Sequence, residues 1–339
     1  MRTAVCEETG KITIVEASRP EPGPGELLVR VQACGVCGTD LLKLYTPTIT
    51  KPVQLGHEVV GTVAAIGSGV HGWSIGQRLA LAHHAPCYAC HFCRHGAYSM
   101  CPTFKNSNIQ PGGFSEYVLL PAPLVGQTAL AIPDSIPDER AVFVEPLACC
   151  IRALKRVPAL LAGDTVVVVG AGAIGVLFVA LLQHRAVQTF ALELRADRRA
   201  WVHTWGARGL DPTQSDPHAI VQAATHGRGA DLVVLTVANA TTVAQAFALV
   251  RDGGTLLVFG AQPTDSLATI DLWDVYRREV VVLSSYSPSP ADLHEALHLL
   301  CQPGFAFERL VTLQLPLERI AEGMARGMRQ EVLKVVIRP

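Results

Sequence analysis

The sequence predicts a two-domain α/β protein, with a mainly β domain and a doubly wound parallel sheet. The 339 residues exceed the length that one ordinary core accommodates. Residues 1 to about 150 are rich in glycine, proline and short apolar alternations, which is typical of β structure. From about residue 164, apolar strands alternate with helices, which indicates a parallel sheet covered on both faces.

Composition and charge narrow the functional classes. Hydrophobic residues make up 49% of the chain, and the formal net charge of -1 argues against a nucleic-acid partner. The uncharged stretch 166–182 is short for a membrane span and contains glycines, so it indicates a buried strand, a turn and a helix. Ten cysteines without a secretory leader predict metal binding in the reducing cytoplasm rather than a disulfide scaffold.

The predicted elements follow from apolar periodicity and turn residues. The first half is expected to contain strands at 3–6, 11–15, 26–33 and 59–66. In the second half, strands are expected at 165–169, 189–192, 231–237, 255–259 and 280–284. Helices are expected after the first three of them, through residue 184, near 197–205 and over 241–250. The tail is expected to add two helices and strands near 310–313 and 333–337, and to return to the first domain. The predicted domain bounds are 1–150, 151–285 and 286–339.

A glycine-rich turn follows the predicted strand 165–169. Residues 170–175 fit G-x-G-x-x-G, a helix follows, and Glu193 lies at the end of the next strand. This context is typical of a dinucleotide site, because the glycines and the helix N-terminus accommodate the pyrophosphate. A carboxylate at Glu193 favours NAD over NADP, although Arg195 and Arg198 lie close by. The predicted cofactor-binding residues are Gly170, Gly172, Ala173, Ile174, Gly175, Glu193 and Arg198.

Four cysteines lie close together in the pattern C-x2-C-x2-C-x7-C. Four thiolates fill the shell of a tetrahedral zinc ion, so this site is expected to pin a loop and not to catalyse. An iron–sulfur cluster is the alternative, but the last spacing differs from the bacterial ferredoxin run. Nearby histidines are interpreted as solvated loop residues, namely His83, His84, His91 and His95. The predicted structural zinc ligands, in a lobe at about 84–103, are Cys87, Cys90, Cys93 and Cys101.

A second group of metal-ligating residues leaves one coordination position of a metal ion free. Cys37 and the segment 56–58 (GHE) supply a thiolate, an imidazole and a carboxylate, which leave a fourth position of a catalytic zinc ion for substrate. Glu145 is a lone acid in an apolar run and is either a further ligand or the partner of the metal-bound water. Cys34 and Cys37 could also form a redox pair, but no thioredoxin-like βαβ pattern surrounds them. The predicted catalytic zinc ligands are Cys37, His57, Glu58 and Glu145.

These motifs together resemble the zinc-dependent medium-chain dehydrogenases and reductases. Residues 56–70 meet the signature G-H-E-x2-G-x5-G-x2-V, and the four-cysteine pattern and element order match along essentially the whole chain. Residues 145–149 (EPLAC) and 112–117 (GGFSEY) are similar to the polyol (sorbitol) and threonine dehydrogenase branch. The resemblance implies a GroES-like catalytic domain, formed by the first and last segments, and a Rossmann domain between them.

The resemblance also implies an activity. The expected reaction is reversible oxidation of a secondary alcohol to a ketone, through a zinc-stabilised alkoxide and hydride transfer to NAD. The substrate would be a polyol, a sugar derivative or a hydroxy-amino acid. Thr39 would hydrogen-bond the reacting hydroxyl. Each chain would hold two zinc ions, one catalytic and one structural. Members of this branch are dimers or tetramers joined through Rossmann strands, so a homodimer or homotetramer is expected.

Three positions depart from the family pattern. Leu42 stands where many relatives carry a proton-relay histidine, so the proton must leave by another route. Ser287 stands near the position of a polyol-binding arginine, which weakens the case for sorbitol itself. Gln77 replaces the aspartate of the usual G-D-R. The candidate pocket residues mix polar and apolar side chains, namely Thr39, Leu42, Tyr45, Phe114 and Tyr286.

Other functions remain open at this level. A general alcohol dehydrogenase acting on simple alcohols would carry the same metal motifs. A non-catalytic NAD-binding protein on the same fold is disfavoured by the open metal site. A zinc-free quinone or enoyl reductase would lack both the open group and the cysteine lobe.

Overall fold

The computed structural model describes residues 1–260 and 267–339. Within them the chain divides into two compact units, the first formed by Met1–Ala148 with Pro288–Pro339 and the second by Cys149–Ser287. The C-terminal segment therefore belongs to the same unit as the N-terminal one. None of the helices among these residues is both long enough and apolar enough to cross a membrane.

The N-terminal segment is mainly β. Its strands are β1 (Arg2–Glu8), β2 (Lys11–Glu16), β3 (Leu27–Gly35), β4 (Glu58–Ile66), β5 (Arg78–Leu81), β6 (Tyr117–Leu120) and β7 (Ala129–Ala131). Its helices are α1 (Gly38–Tyr45), α2 (His91–Arg94), α3 (Pro102–Asn106), α4 (Ala122–Val125), α5 (Asp138–Ala141) and α6 (Val144–Arg156). The chain passes from the first unit to the second within α6.

The second unit alternates strands with helices. Its strands are β8 (Thr165–Val169), β9 (Gln188–Leu192), β10 (Arg208–Leu210), β11 (Ala230–Leu235), β12 (Val250–Val258) and β13 (Val281–Ser284). Its helices are α7 (Ala173–His184), α8 (Ala196–Thr204), α9 (Pro217–Ala224), α10 (Ala240–Leu249) and α11 (Leu272–Arg278). The uncharged stretch 166–182 thus forms a buried strand, a turn and a helix, as predicted.

The strands of the second unit form a parallel sheet in the order β10-β9-β8-β11-β12-β13. Every residue of the central strand β8 is buried, as expected where both faces of a parallel sheet are covered. The strand order reverses between β8 and β11, and ligands of such sheets bind at this switch point. Three elements of this unit were not predicted, namely the strand β10, which has only three residues, and the helices α9 and α11.

The C-terminal segment completes the sheet of the first unit. It contains α12 (Pro290–Leu300), β14 (Val311–Pro316), α13 (Ile320–Met328) and β15 (Lys334–Arg338). The sheet runs β14-β15-β3-β4-β5-β7, with β6 also paired to β3. The antiparallel pairing of β15 with β3 aligns Val336 with Gly35. This register brings the start of β15 towards the end of β3, where the open metal-ligating group lies.

Candidate metal centres and nucleotide site

The open group of metal-ligating residues comes together in the first unit. Cys37 caps the N-terminus of α1, while His57 and Glu58 stand at the start of β4. The pairing of β3 with β4 aligns Gly35 with Glu58, so the chain leaving β3 passes beside the start of β4. The ligand atoms of Cys37, His57 and Glu58 lie within 4.8 Å of one another. One thiolate, one imidazole and one carboxylate so arranged suit a zinc ion with an open position.

Asp40 holds this group in place, a role that the sequence did not reveal. Its carboxylate accepts hydrogen bonds from the backbone N–H of Cys37 (3.0 Å) and of Gly56 (2.9 Å). It also lies 3.4 Å from Nδ1 of His57, which leaves Nε2 of that ring 3.5 Å from Thr39 Oγ1. A carboxylate behind a metal-ligating histidine fixes the tautomer and orientation of the ring.

The electrostatics of Asp40 and His57 follow from this contact. Burial would raise the pKa of Asp40, but His57 and the backbone donors outweigh burial and lower it. Burial would lower the pKa of His57, but the charges of Asp40 and Cys37 raise it well above its ordinary value. The pair is therefore strongly coupled, with Asp40 ionised at neutral pH.

Glu58 forms a buried ion pair with Lys334 of β15. Lys334 also donates to the backbone carbonyl of Val36 at 3.1 Å. Both charged side chains are almost fully excluded from solvent, and Gly35 leaves them room, because a side chain there would collide with both. Burial opposes the charge on Lys334, but Glu58 and Cys37 outweigh burial and raise its pKa. The pairing joins residues 276 positions apart, which no local pattern could indicate.

Glu145 lies in the first turn of α6 and is buried. Among the described residues, the open metal-capable cluster comprises Cys37, His57 and Glu58 and does not include Glu145. Its role as a further ligand or as a partner of bound water therefore stays a prediction.

The four cysteines of the predicted lobe also come together. The sulfur atoms of Cys87, Cys90, Cys93 and Cys101 lie within 4.8 Å of one another. Three sulfur–sulfur distances are 3.6, 3.6 and 4.0 Å. A tetrahedral zinc ion with its usual bonds to sulfur separates its ligands by about 3.8 Å, so the cluster fits the ion. No ligand position is left open, as expected for a structural site.

Backbone donors and a small apolar core surround this closed cluster. The N–H of Cys90 donates to Cys87 Sγ at 3.3 Å, and the N–H of Cys87 donates to Cys101 Sγ at 3.4 Å. Burial would raise the pKa of Cys101, but hydrogen bonds from the backbone N–H groups of Cys87 and Phe104 outweigh burial and lower the pKa to about 6, which favours the thiolate. Phe104 packs against Cys93 and Cys101.

The interpretation of His83 and His84 as solvated loop residues was wrong. Both are half-buried, and their rings are in contact, tilted by 40° with 3.8 Å between centroids. The His83 ring lies 4.7 Å from that of His57, and the His84 ring lies 4.9 Å from that of Phe104. A column of rings therefore leads from the open cluster to the core beside the closed one. His91 and His95, by contrast, are exposed.

The glycine-rich turn of the second unit has the geometry expected of a dinucleotide site. Helix α7 begins directly after Gly172, and a side chain at Gly175 would collide with the carbonyl of Gly170. Glu193 follows β9 and accepts a hydrogen bond from the backbone N–H of Ala171 at 2.9 Å. The turn after β8 and the acid after β9 are thus adjacent at the carboxyl edge of the sheet.

Two basic residues lie near this acid, on or beside helix α8. Arg195 is bound to Asp197 at 2.8 Å. Arg198 is half-buried, and burial lowers its pKa in spite of the nearby negative charge of Glu193, which has the opposite effect. The structure therefore brings Glu193, Arg198 and the glycine turn, the predicted nucleotide-binding residues, into one region of the second unit.

Comparisons with known proteins agree with these sites. Residues 23–134 match the model of the alcohol dehydrogenase GroES-like domain, and residues 173–302 match that of the zinc-binding dehydrogenases. The sorbitol dehydrogenase of Bacillus subtilis (strain 168) is 28% identical, with 100% of this chain and 97% of the relative covered. The L-threonine 3-dehydrogenase of Xanthomonas oryzae pv. oryzae (strain MAFF 311018) is 29% identical, with 95% of each covered.

A solved structure is similar over the whole chain. The zinc-binding dehydrogenase of Sinorhizobium meliloti 1021, bound to NADP, is 31% identical with a TM-score of 0.88, and 100% of this chain and 99% of that one are covered. The chain belongs to the zinc-binding dehydrogenase family. The predicted fold class is confirmed, as is the predicted enzyme class, a zinc-dependent oxidoreductase that acts on an alcohol with NAD(P).

Proposed function

We propose that the protein oxidises a secondary alcohol with further polar groups to the ketone, and that NAD is its cofactor. The observation that carries this proposal is the open cluster of Cys37, His57 and Glu58, with Thr39 beside it. When bound there, zinc supplies the Lewis acidity that lowers the pKa of an alcohol, and the nicotinamide accepts the hydride.

The side chains around the open cluster divide the remaining work. Thr39 is exposed on α1, and its hydroxyl is placed to take the proton of the substrate alcohol. Asp40 keeps the His57 ring in one orientation. Because Leu42 cannot relay a proton, the proton leaves through Thr39 and then through the cofactor ribose, a water chain or Glu145. Glu145 is proposed as a nearby ligand or as the partner of bound water.

The four-cysteine cluster is proposed to hold the second, structural zinc ion. Its ligands come from one short segment, and its sulfur spacing leaves no position for a substrate. None of the ten cysteines, all of which lie in the described part of the chain, is in a disulfide. Thiolate ligation without disulfides fits a reducing compartment, so we place the protein in the cytoplasm.

NAD is proposed over NADP because Glu193 stands at the end of β9, where the adenine ribose binds in such sheets. A carboxylate there accepts hydrogen bonds from both ribose hydroxyls and repels a 2′-phosphate. Arg195 is already paired with Asp197 and offers little to that phosphate. We expect kcat/KM with NAD to exceed that with NADP. Glu193→Ser should reduce this preference by about tenfold or more, which corresponds to the loss of one hydrogen bond to the ribose.

A homodimer or homotetramer is proposed from the edge of the second unit. Strand β13 ends the described sheet, and Val281 and Val282 on it are exposed. Helix α11 adds exposed Trp273 and Tyr276. Sheet edges with apolar side chains pair readily with a second copy. Light scattering should give at least twice the mass of the chain, and Val282→Arg should yield monomer; a monomeric parent protein would contradict this assembly.

The function is tested by NAD reduction with the zinc-loaded protein. The panel holds sorbitol, xylitol, threonine, sugar phosphates and simple secondary alcohols, with NADP in parallel. Turnover of a polyol, sugar derivative or threonine supports the proposal. Activity confined to simple alcohols would identify a general alcohol dehydrogenase instead. If the protein with two zinc ions bound reduced neither NAD nor NADP with any compound of the panel, the proposed substrate class would be contradicted.

A further inference from the structure

One side of the open cluster is lined by groups that the proposed reaction does not use. His83 follows β5, and its ring lies between those of His57 and His84 and contacts both. Nδ1 of His84 is engaged with the backbone carbonyl of Ser107. His83 is different, because neither of its ring nitrogens has a hydrogen-bond partner among residues 1–260 and 267–339. An imidazole beside the open cluster is therefore available to a ligand.

Lys43 adds a positive charge on the same side. It lies four residues after Thr39 on α1, so the two side chains share one face of the helix. Thr39 on that face approaches His57. The His57 ring that Thr39 approaches is also the ring against which His83 lies, at 4.7 Å between centroids. The face of α1 that carries Lys43 is therefore directed towards this side of the open cluster.

No acid neutralises Lys43 within the described part of the chain. Two acids of this region are already engaged: Asp40 with His57 and two backbone donors, and Glu58 with Lys334. Lys51 is the nearest basic neighbour along the chain, and its ammonium is bound to the backbone carbonyl of Lys43 and to that of Ile49. The ammonium of Lys43 thus differs from those of Lys51 and Lys334 in having no hydrogen-bond or ion-pair partner among the residues that the structure describes.

The charge balance of the site points in the same direction. The thiolate of Cys37 and the carboxylates of Asp40 and Glu58 carry three negative charges, and Lys334 and Lys43 carry two positive ones. A divalent ion on the open cluster brings this sum to +1, and charges near a bound ion must be counted together with it. The buried carboxylate of Glu145, proposed beside the ion, would bring the sum only to zero, so no negative charge is left over for Lys43. A substrate carrying its own negative charge complements such a site, whereas a neutral alcohol leaves Lys43 without a counter-ion.

We propose that Lys43 and His83 bind an anionic substituent, a carboxylate or a phosphate, on the alcohol substrate. The ammonium supplies a charge-assisted hydrogen bond and His83 supplies an N–H donor, while the hydroxyl to be oxidised lies at the open cluster. This inference rests on the proposed function, because it concerns the substrate of the same site. It narrows the substrate class to hydroxy acids and polyol phosphates, with the carboxylate and the phosphate as the two sources of charge.

Three six-carbon compounds test the inference with the zinc-loaded protein and NAD. Sorbitol, gluconate and sorbitol 6-phosphate differ chiefly in whether a terminal group is a hydroxymethyl, a carboxylate or a phosphate. We expect kcat/KM for at least one anion to exceed that for sorbitol by about tenfold or more, which is the size of one charge-assisted bond. Turnover of sorbitol with no preference for either anion would overturn the inference and leave the proposed function intact.

Variants assign any preference to the proposed residues. Lys43→Gln should raise KM for the favoured anion by about tenfold or more, with little change in kcat and within about twofold for sorbitol. His83→Asn should show the same pattern with a smaller rise, and Lys43→Arg should keep the preference. Lys105→Gln removes an exposed lysine of the same unit and should change nothing. An equal loss for Lys43→Gln and Lys105→Gln would overturn the assignment.

Calorimetric binding without nicotinamide cofactor provides a readout that is independent of turnover. Gluconate or sorbitol 6-phosphate should bind the zinc-loaded parent protein more tightly than sorbitol does, and Lys43→Gln should abolish the difference. Binding that depends on Lys43 in a protein that oxidises none of the three would support the anion site and contradict the oxidation of such alcohols. Anion binding that Lys43→Gln leaves unchanged would overturn the inference, whatever the turnover.

Discussion

The two cysteine-containing clusters of the first unit differ in how they are assembled. The closed cluster takes four thiolates from one short segment and is supported by its own backbone N–H groups and by Phe104. The open cluster takes a thiolate, an imidazole and a carboxylate from two segments and needs Asp40 and Lys334 behind them.

This difference separates stability from chemistry. A short segment that supplies all four ligands of a metal ion is held rigid by the ion, and no coordination position is left for a substrate. A cluster gathered from several segments can leave a position open, but its buried charges must then be balanced by distant residues. We therefore expect changes at the open cluster to act on turnover and changes at the closed cluster to act on stability.

The largest effect is expected at the open cluster itself. His57→Ala removes one of three ligands, so zinc content should fall from two to one per chain and turnover by about a thousandfold or more. The far-ultraviolet circular dichroism spectrum should not change, because the closed cluster is untouched. Cys301→Ser, which replaces an exposed cysteine outside both clusters, is the matched control and should behave as the parent. Retained activity in His57→Ala would contradict the proposed role of a zinc ion at the open cluster.

A large loss of stability is expected from Lys334→Met. It leaves the carboxylate of Glu58 buried without its partner, which should lower the free energy of unfolding by about 3–5 kcal/mol. Adding Glu58→Gln to this variant should restore much of the loss, because the unpaired carboxylate at position 58 is then removed. Urea unfolding of the parent, the single variant and the double variant measures this cycle. An unchanged midpoint for Lys334→Met would mean that the ion pair does not support the open cluster.

A loss of about 3 kcal/mol is expected from Cys93→Ser, because removing a ligand of a structural metal is among the strongest single changes. Thermal unfolding should shift downwards, and one zinc ion should be lost. Protein that stays folded should keep the zinc ion of the open cluster and some turnover. If stability matched that of Cys301→Ser while turnover vanished, the roles given to the two clusters would be reversed.

The smallest effect concerns His84, whose ring lies in the column between the two clusters. Burial lowers its pKa from 6.5 to about 4, against the raising effect of the carbonyl of Ser107. The unfolded chain therefore takes up a proton here at higher pH than the folded chain, and stability falls as pH drops from 6.5 towards 4. His84→Asn should remove up to about 2 kcal/mol of this fall. Parallel stability–pH curves for variant and parent would contradict the assignment.

Local spacing carried much of the prediction. The four cysteines, the GHE segment and the glycine turn are each contained in a few residues, so the sequence alone identified them. The uncharged run of β8 and α7 was recognised for the same reason, since its Val run and glycines are contiguous. Elements with weak local signals, such as the short strand β10, were missed.

The supports of the open cluster could not be predicted in this way. Lys334 meets Glu58 only because β15 pairs with β3, and strand pairing across the chain leaves no mark on local spacing. His83 is predicted to be solvated because four cysteines already fill the zinc shell, yet its ring lies 4.7 Å from that of His57. Asp40 was the one detectable signal, since an acid three residues after Cys37 suits a helix N-terminus and thus a cap beside the ligand.

Stepwise removal of zinc most directly tests whether the open cluster supports turnover and the closed cluster supports stability. The zinc-loaded protein would be titrated with a chelator while zinc content, turnover and the thermal unfolding midpoint are followed on the same samples. We expect two zinc ions per chain at the start. Loss of the first should abolish turnover without moving the midpoint, and loss of the second should lower the midpoint. Turnover that persists until the second ion leaves, or a midpoint that falls with the first, would contradict the account.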